Sequence, residues 1–185
     1  MLHYYTKTDL ESWIEEQYQQ AGIVSPAHLS LSELCDVFGI YIDYTSGRSA
    51  AVWDDELAMV YLDRTLSVRE QRAAFFHELC HPLRHTARQH ERVPALRGVE
   101  EWQEMQASQF QLYASAPFYM VEQLDFTGRQ VAATIAESFD LPYSLAWRRW
   151  EQIERRIFQA RLDEEFQRYI EREDQMILFD RTVAQ

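Results

Sequence analysis

The stretch 67–81, SVREQRAAFFHELCH, decides how this chain is read. Ser67 and Glu70 form an S-x-x-E capping box, which marks a helix start. His77, Glu78 and His81 then give the form H-E-x-x-H. Residues four apart share one helix face, so His77 and His81 can hold one metal ion together. Glu78 lies a helical step to the side, within reach of a water on that ion. Two imidazoles plus a general base form the working core of a zinc peptidase, with Zn2+ as cofactor and Glu78 as the catalytic residue. Five letters of this form also arise by accident, and the bland alternative is two surface histidines on an ordinary amphipathic helix. The setting favours the metal. Val68, Phe75, Phe76, Leu79 and Leu83 predict a buried apolar stripe, and Ala74 shares the histidine face, where a small side chain leaves room for an ion.

A peptidase site of this kind needs a third protein ligand and a fourth position open to water. The longer form H-E-x-x-H-x-x-G-x-x-H supplies a third His, but its Gly and His positions are Arg84 and Ala87 here, which excludes it. The other solution is a Glu from a following helix, and the candidates are Glu100, Glu101 and Glu104. Glu104, Ala107, Ser108, Gln111, Ala114 and Ser115 recur at three-and-four spacing. Such a stripe of mostly small residues lets a second helix approach the first closely. Glu104 on that stripe points at the histidines, Glu100 shares its phase one turn earlier, and Glu101 projects less well. Read without the upstream motif, Glu104 is an ordinary solvated helix charge.

HELCH, followed by EMQASQFQLYASAP from Glu104 to Pro117, resembles the ImmA/IrrE family of metallopeptidases, whose pattern is H-E-L-G-H followed by E-x-x-A-N-x-F-A-x-x-L-L-x-P. The resemblance places His77 and His81 on the zinc-ligand histidines, Glu78 on the catalytic glutamate and Glu104 on the third ligand. Ala107, Phe110 and Pro117 match family positions, and His85 matches a His often found one turn past the motif. Cys80 stands for the usual Gly, Ser108 for Asn and Gln111 for Ala, and the Leu-Leu pair is lost. The resemblance implies a zincin-like fold and a substrate that is a helix-turn-helix transcriptional repressor, cleaved to release gene expression in a mobile element or a stress response.

Zinc held there would lower the pKa of a bound water to about 7, and Glu78 would serve as the general base that takes a proton from the attacking water and later delivers one to the leaving amine. The carbonyl oxygen needs a further electrophilic partner, for which His85, His90 and Tyr113 are near enough in sequence. Cys80 has two readings: a fourth ligand that blocks water, or, because it projects about 100° from His81, a small apolar residue packed inward. Pro82 removes a helical hydrogen bond, so the helix should kink or end within a turn of His81. Manganese or iron suits the same His, His, Glu set.

Composition fits one compact enzyme of 185 residues, 46% hydrophobic and 14% aromatic. Two cysteines, Cys35 and Cys80, suggest no disulfide framework and a reducing, cytoplasmic home. The first twenty residues carry acids and aromatics rather than a signal peptide, and no apolar run is long enough for a membrane. A net charge of −12 disfavours contact with phosphate backbones and suits a basic, DNA-binding protein partner. That charge weighs against reading Gln130 to Trp150, with Arg148 and Arg149 on its second helix, as a helix-turn-helix of the chain's own.

The predicted class is α+β: a mostly helical domain over 1–125 with a small antiparallel sheet before the H-E-x-x-H helix, and a C-terminal helical region over 126–185 packed on it. Helices are expected over Asp9 to Gln20, with Trp13, Ile14 and Tyr18 inward, and from Ser30, capped with Glu33, to a stop at Gly39. Strands are expected at Ile40 to Tyr44, Ala50 to Trp53 and Met59 to Leu62, with turns at Ser46-Gly47 and Asp54-Asp55. An edge strand of such a sheet can hold an extended substrate by main-chain pairing. A long helix follows from about Leu145 to Asp174, its stripe Ala146, Trp150, Ile153 and Ile157 continued as core by Phe158, Leu162, Phe166 and Tyr169. Met176 to Phe179 adds a strand or stays loose. Two functions remain open: a zinc endopeptidase acting on a repressor, or a module that captures the repressor without cutting it, with structural zinc. Oligomeric state is not set by the sequence.

Overall fold

The computed structural model describes residues 2–85, 97–127 and 130–183, with the backbone alone at 97 and over 173–183. The elements run α1 (Asp9–Gln20), α2 (Leu31–Phe38), β1 (Ile40–Thr45), β2 (Ala50–Trp53), β3 (Ala58–Asp63), α3 (Val68–Arg84), α4 (Arg97–Ser115), α5 (Phe118–Val121), α6 (Val131–Ser138) and α7 (Tyr143–Val183). The described chain is thus mostly helical with one small sheet, and no helix is long and apolar enough to cross a membrane. It divides into two compact units, Lys7–Trp150 and Met1–Thr6 with Glu151–Gln185.

In the larger unit the helix starts follow local chemistry. Thr8, Ser30 and Ser67 each accept from the backbone N–H three residues on, while Glu11, Glu33 and Glu70 reach back to the cap backbone. Gly39 ends α2 in the left-handed conformation (φ 64°), which glycine adopts at little cost.

The sheet differs from expectation. Its order is β1-β3-β2, with β2 antiparallel to β3 but β1 parallel to it, so it is mixed rather than antiparallel. Two reversals of direction return β3 to the direction of β1, and β3 then inserts between the other two. The Ser46-Gly47 turn therefore joins strands that are not paired with each other. The second turn is a true hairpin: Asp54 pairs with Leu57 across the main chain at 2.9 Å, and its carboxylate accepts the N–H groups of Glu56 and Leu57. The central place falls to β3, whose Val60 and Leu62 are fully buried.

α3 packs along α4 and lies on β2 and β3. Phe75, Phe76 and Leu79 are buried as the stripe predicts, but Val68 is 72% exposed, because it occupies the first helical position beyond the packed face. Arg72 fixes the helix from within. Its guanidinium donates to Phe139 O at 2.8 Å and to Leu29 O, and lies over the Phe76 ring. α3 runs two residues past Pro82 and stops at Arg84, within a turn of His81, where the His85 N–H still bonds His81 O at 3.0 Å. On α4, Ala107, Ala114 and Ser115 are buried, and Gln111 Nε2 donates to Ala73 O on α3 at 2.8 Å. The interior also holds an ion pair: Arg149, fully buried, donates to Glu11 at 3.0 Å and to Ala116 O at 2.9 Å. Arg149 is thereby withdrawn from solvent, whereas Arg148 is exposed.

In the smaller unit, the short 3-10 turn Leu2–Tyr4 accompanies the later part of α7. Arg156 donates to Thr6 O at 3.1 Å, and the cations of Arg156 and Arg161 lie over the rings of Tyr5 and Tyr4. Phe158, Leu162, Phe166 and Tyr169 are exposed, so they do not continue the core stripe. The run Met176 to Phe179 is neither strand nor loose chain: its backbone continues α7.

Candidate metal centre

Two helices build the site. α3 presents His77 and His81 one turn apart, and α4 brings Glu104 against them. His77 Nε2 lies 3.2 Å from one Glu104 carboxylate oxygen, and His81 Nε2 lies 3.7 Å from the other. One donor atom from each residue lies within 4.8 Å of the other two, and among the described residues no other three His, Cys, Asp or Glu side chains converge in this way. Ligands on a tetrahedral zinc sit at about 2.0–2.2 Å from the ion and hence roughly 3.3 Å from one another. The spacings to Glu104, and the nitrogen and oxygen chemistry of the set, fit such an ion. His81 is buried, His77 is partly covered, and Glu104 is half exposed, so the site opens on the Glu104 side. Glu100 and Glu101 are exposed and do not join the group.

Glu78 is 7% exposed. Burial first, and the nearby Glu104 charge second, push its carboxyl up from 4.5 to about 7, while the Ala51 main-chain N–H and the Arg48 charge pull the other way. A carboxyl poised there holds or yields a proton near neutrality, as a general base must. Burial and the neighbouring His85 push His81 down to about 4, which keeps its ring neutral and able to donate a lone pair to a metal.

Cys80 is buried, and its thiol is pushed up to about 12 by burial. It stays protonated and apolar, and it is not among the convergent donors. Of the three electrophile candidates, Tyr113 donates its hydroxyl to Gln109 at 3.0 Å and receives the Arg149 cation on its face. His85 is buried between His81 and Gln106. His90 lies outside the described residues.

Three neighbours carry no sequence signal of their own. Trp53 of β2 stacks on His81 with ring centroids 6.1 Å apart. Ala51, also on β2, offers its N–H to Glu78. Gln106 binds His85 at 3.2 Å. The edge strand nearest the site is therefore β2. An apolar aromatic in a four-residue strand reads as core, and only the sheet order places it against α3.

No known protein-family model matches the sequence. The chain is 31% identical over 81 residues to the uncharacterized protein YqaB of Bacillus subtilis (strain 168), across 44% of this chain and 47% of that protein. It is also 31% identical over 159 residues to the phage-like element PBSX protein XkdA of the same organism, across 83% of this chain and 79% of that protein. Similarity at that level, over most of both chains, assigns the relationship: the chain belongs to the family of the phage-like element PBSX protein XkdA.

Proposed function

We propose that this protein is a cytoplasmic zinc-dependent endopeptidase of the ImmA/IrrE type, with a zincin-like catalytic domain, that cleaves a helix-turn-helix repressor of a mobile element and so relieves repression. The observation that carries the reading is the convergence of His77, His81 and Glu104 beside the buried carboxyl of Glu78. Zinc held by those three residues would supply Lewis acidity for the scissile carbonyl and a water of lowered pKa. Glu78 then takes the proton of the attacking water on its carboxylate and hands one to the leaving amine. Its low exposure keeps bulk water from competing for that proton. The β2 edge lies beside Glu78 and can pair with an extended substrate main chain. The net charge of −12 favours a basic, DNA-binding partner, and the phage-element name of the relative supports a mobile-element setting.

The test is Glu78→Gln, assayed against helix-turn-helix repressors drawn from the neighbouring genes. The parent should cut the repressor in a metal-dependent manner. The variant should retain zinc and repressor binding but cut at least about 10³-fold more slowly, as expected for loss of a proton-transfer group. A Gln variant that relieves repression as well as the parent would instead establish a capture module with structural zinc.

A further inference from the structure

His85 follows His81 by one helical turn, lies outside the metal group and is 5% exposed. His81 Nδ1 and His85 Nδ1 lie 3.0 Å apart, and His85 Nε2 lies 3.2 Å from Gln106 Oε1. A neutral imidazole carries one proton, and its other nitrogen accepts. Both rings are buried, and burial disfavours a charged imidazole. Gln106 Oε1 can only accept, so His85 carries its proton on Nε2. Its Nδ1 lone pair then faces His81, which must donate from Nδ1. That leaves His81 Nε2, the atom 3.7 Å from Glu104, unprotonated. The reverse order of protons would place a hydrogen on Nε2 and close it to a cation.

From this chain of contacts we infer that His85 and Gln106 form a relay that fixes the tautomer and ring angle of His81 for metal binding. The inference rests on the proposed metal centre and deepens it by naming what holds its second imidazole. Metal-ligating histidines generally donate their other N–H to an acceptor that orients the ring. A carbonyl or carboxylate accepts without further help. Here the acceptor is itself an imidazole, whose own tautomer needs Gln106. α4 thus delivers Glu104 to the site and, two residues on, the group that sets the histidine chain. His85 is a positioning residue: it acts through His81 and touches neither substrate nor reacting atoms.

The experiment measures zinc affinity by chelator competition and imidazole tautomers by ¹⁵N NMR on the whole chain. His85→Leu should weaken zinc binding about 10- to 100-fold, and Gln106→Leu by up to about tenfold. His85→Asn puts an amide oxygen near the position of Nδ1 and should bind within about threefold of the parent, since the second-shell acceptor is restored. Gln106→Leu added to His85→Asn should cost nothing more, because an amide has no tautomer to fix. Gln106→Glu should bind as the parent does. In the metal-free parent, the His81 spectrum should show a protonated Nδ1 and a bare Nε2. If His85→Leu is unfolded, His85→Asn, the Gln106 variants and the spectrum still decide. A protonated His81 Nε2, or Gln106→Leu and His85→Leu that bind zinc as tightly as the parent, overturns the relay while leaving the metal centre intact. A parent that takes up no zinc, or takes it up undiminished after loss of His77, His81 and Glu104 together, overturns the centre and the relay with it.

Discussion

Glu78→Gln should stabilise the metal-free protein while abolishing the proposed cleavage, and the size of that gain follows from the burial of the carboxyl. A group displaced from 4.5 to about 7 on folding costs the folded state about 3 kcal/mol once it is ionised, at about 1.4 kcal/mol per tenfold change in proton affinity. The sign is set by the raised value. The folded protein binds the extra proton between pH 4.5 and about 7, so the contribution of this group to stability is complete below 4.5 and lost as pH rises through 7. Glutamine is neutral throughout and keeps an oxygen for the Ala51 N–H. The variant should therefore exceed the parent by about 2–3 kcal/mol at pH 8, some 5–10 °C in Tm for a chain of this size, and match it at pH 4. His81, pushed down to about 4, favours the folded state above 6.5 and loses that contribution as pH falls, but it does so in both proteins and drops out of the difference. The assay is urea denaturation in the presence of a strong chelator at the two pH values. Zinc should narrow the gap, because a cation beside the carboxylate offsets its burial. A variant no more stable than the parent at pH 8, or a gain unchanged at pH 4, would refute the reasoning that Glu78 is a desolvated base.

Glu104→Ala should lower zinc affinity sharply while Glu100→Ala leaves it unchanged, measured as zinc retained after dialysis; equal retention in both would remove Glu104 from the ligand set. Glu11→Ala removes the carboxylate that accepts from the buried Arg149 guanidinium and should cost about 1.5–3 kcal/mol by urea titration; exchanging both residues for apolar ones should recover part of that loss. Cys80, its thiol held near 12, should resist alkylation at pH 8 until the protein unfolds, while the half-buried Cys35 reacts first; mass mapping of the modified thiols decides this.

What the chain discloses in advance is local. Ser67 with Glu70, Ser30 with Glu33 and Gly39 mark helix ends, because capping is a matter of three or four neighbouring residues. The H-E-x-x-H spacing and the phase of Glu104 likewise place three donors, because helical geometry converts spacing into direction. Sheet order was not legible. Turns reveal that the chain reverses, but not that β3 enters between β1 and β2, which depends on which pairing buries Val60 and Leu62 best. The exposed stripe of Phe158, Leu162, Phe166 and Tyr169 failed as core for a related reason: helical periodicity shows that a face is apolar, not that anything covers it. Gln106 and Trp53 escaped notice because each acts across elements that are separate in sequence, on His85 and His81 respectively.

X-ray absorption at the zinc edge of the loaded protein reads directly which atoms hold the ion. The expected spectrum has two imidazole nitrogens at about 2.0–2.1 Å, carboxylate and solvent oxygen at similar range, and no sulfur. Substitution of His77 or His81 should remove one imidazole signature each. A zinc–sulfur distance of about 2.3 Å, which would bring Cys80 into the shell, or four protein ligands with no solvent oxygen, would contradict a catalytic centre at His77, His81 and Glu104.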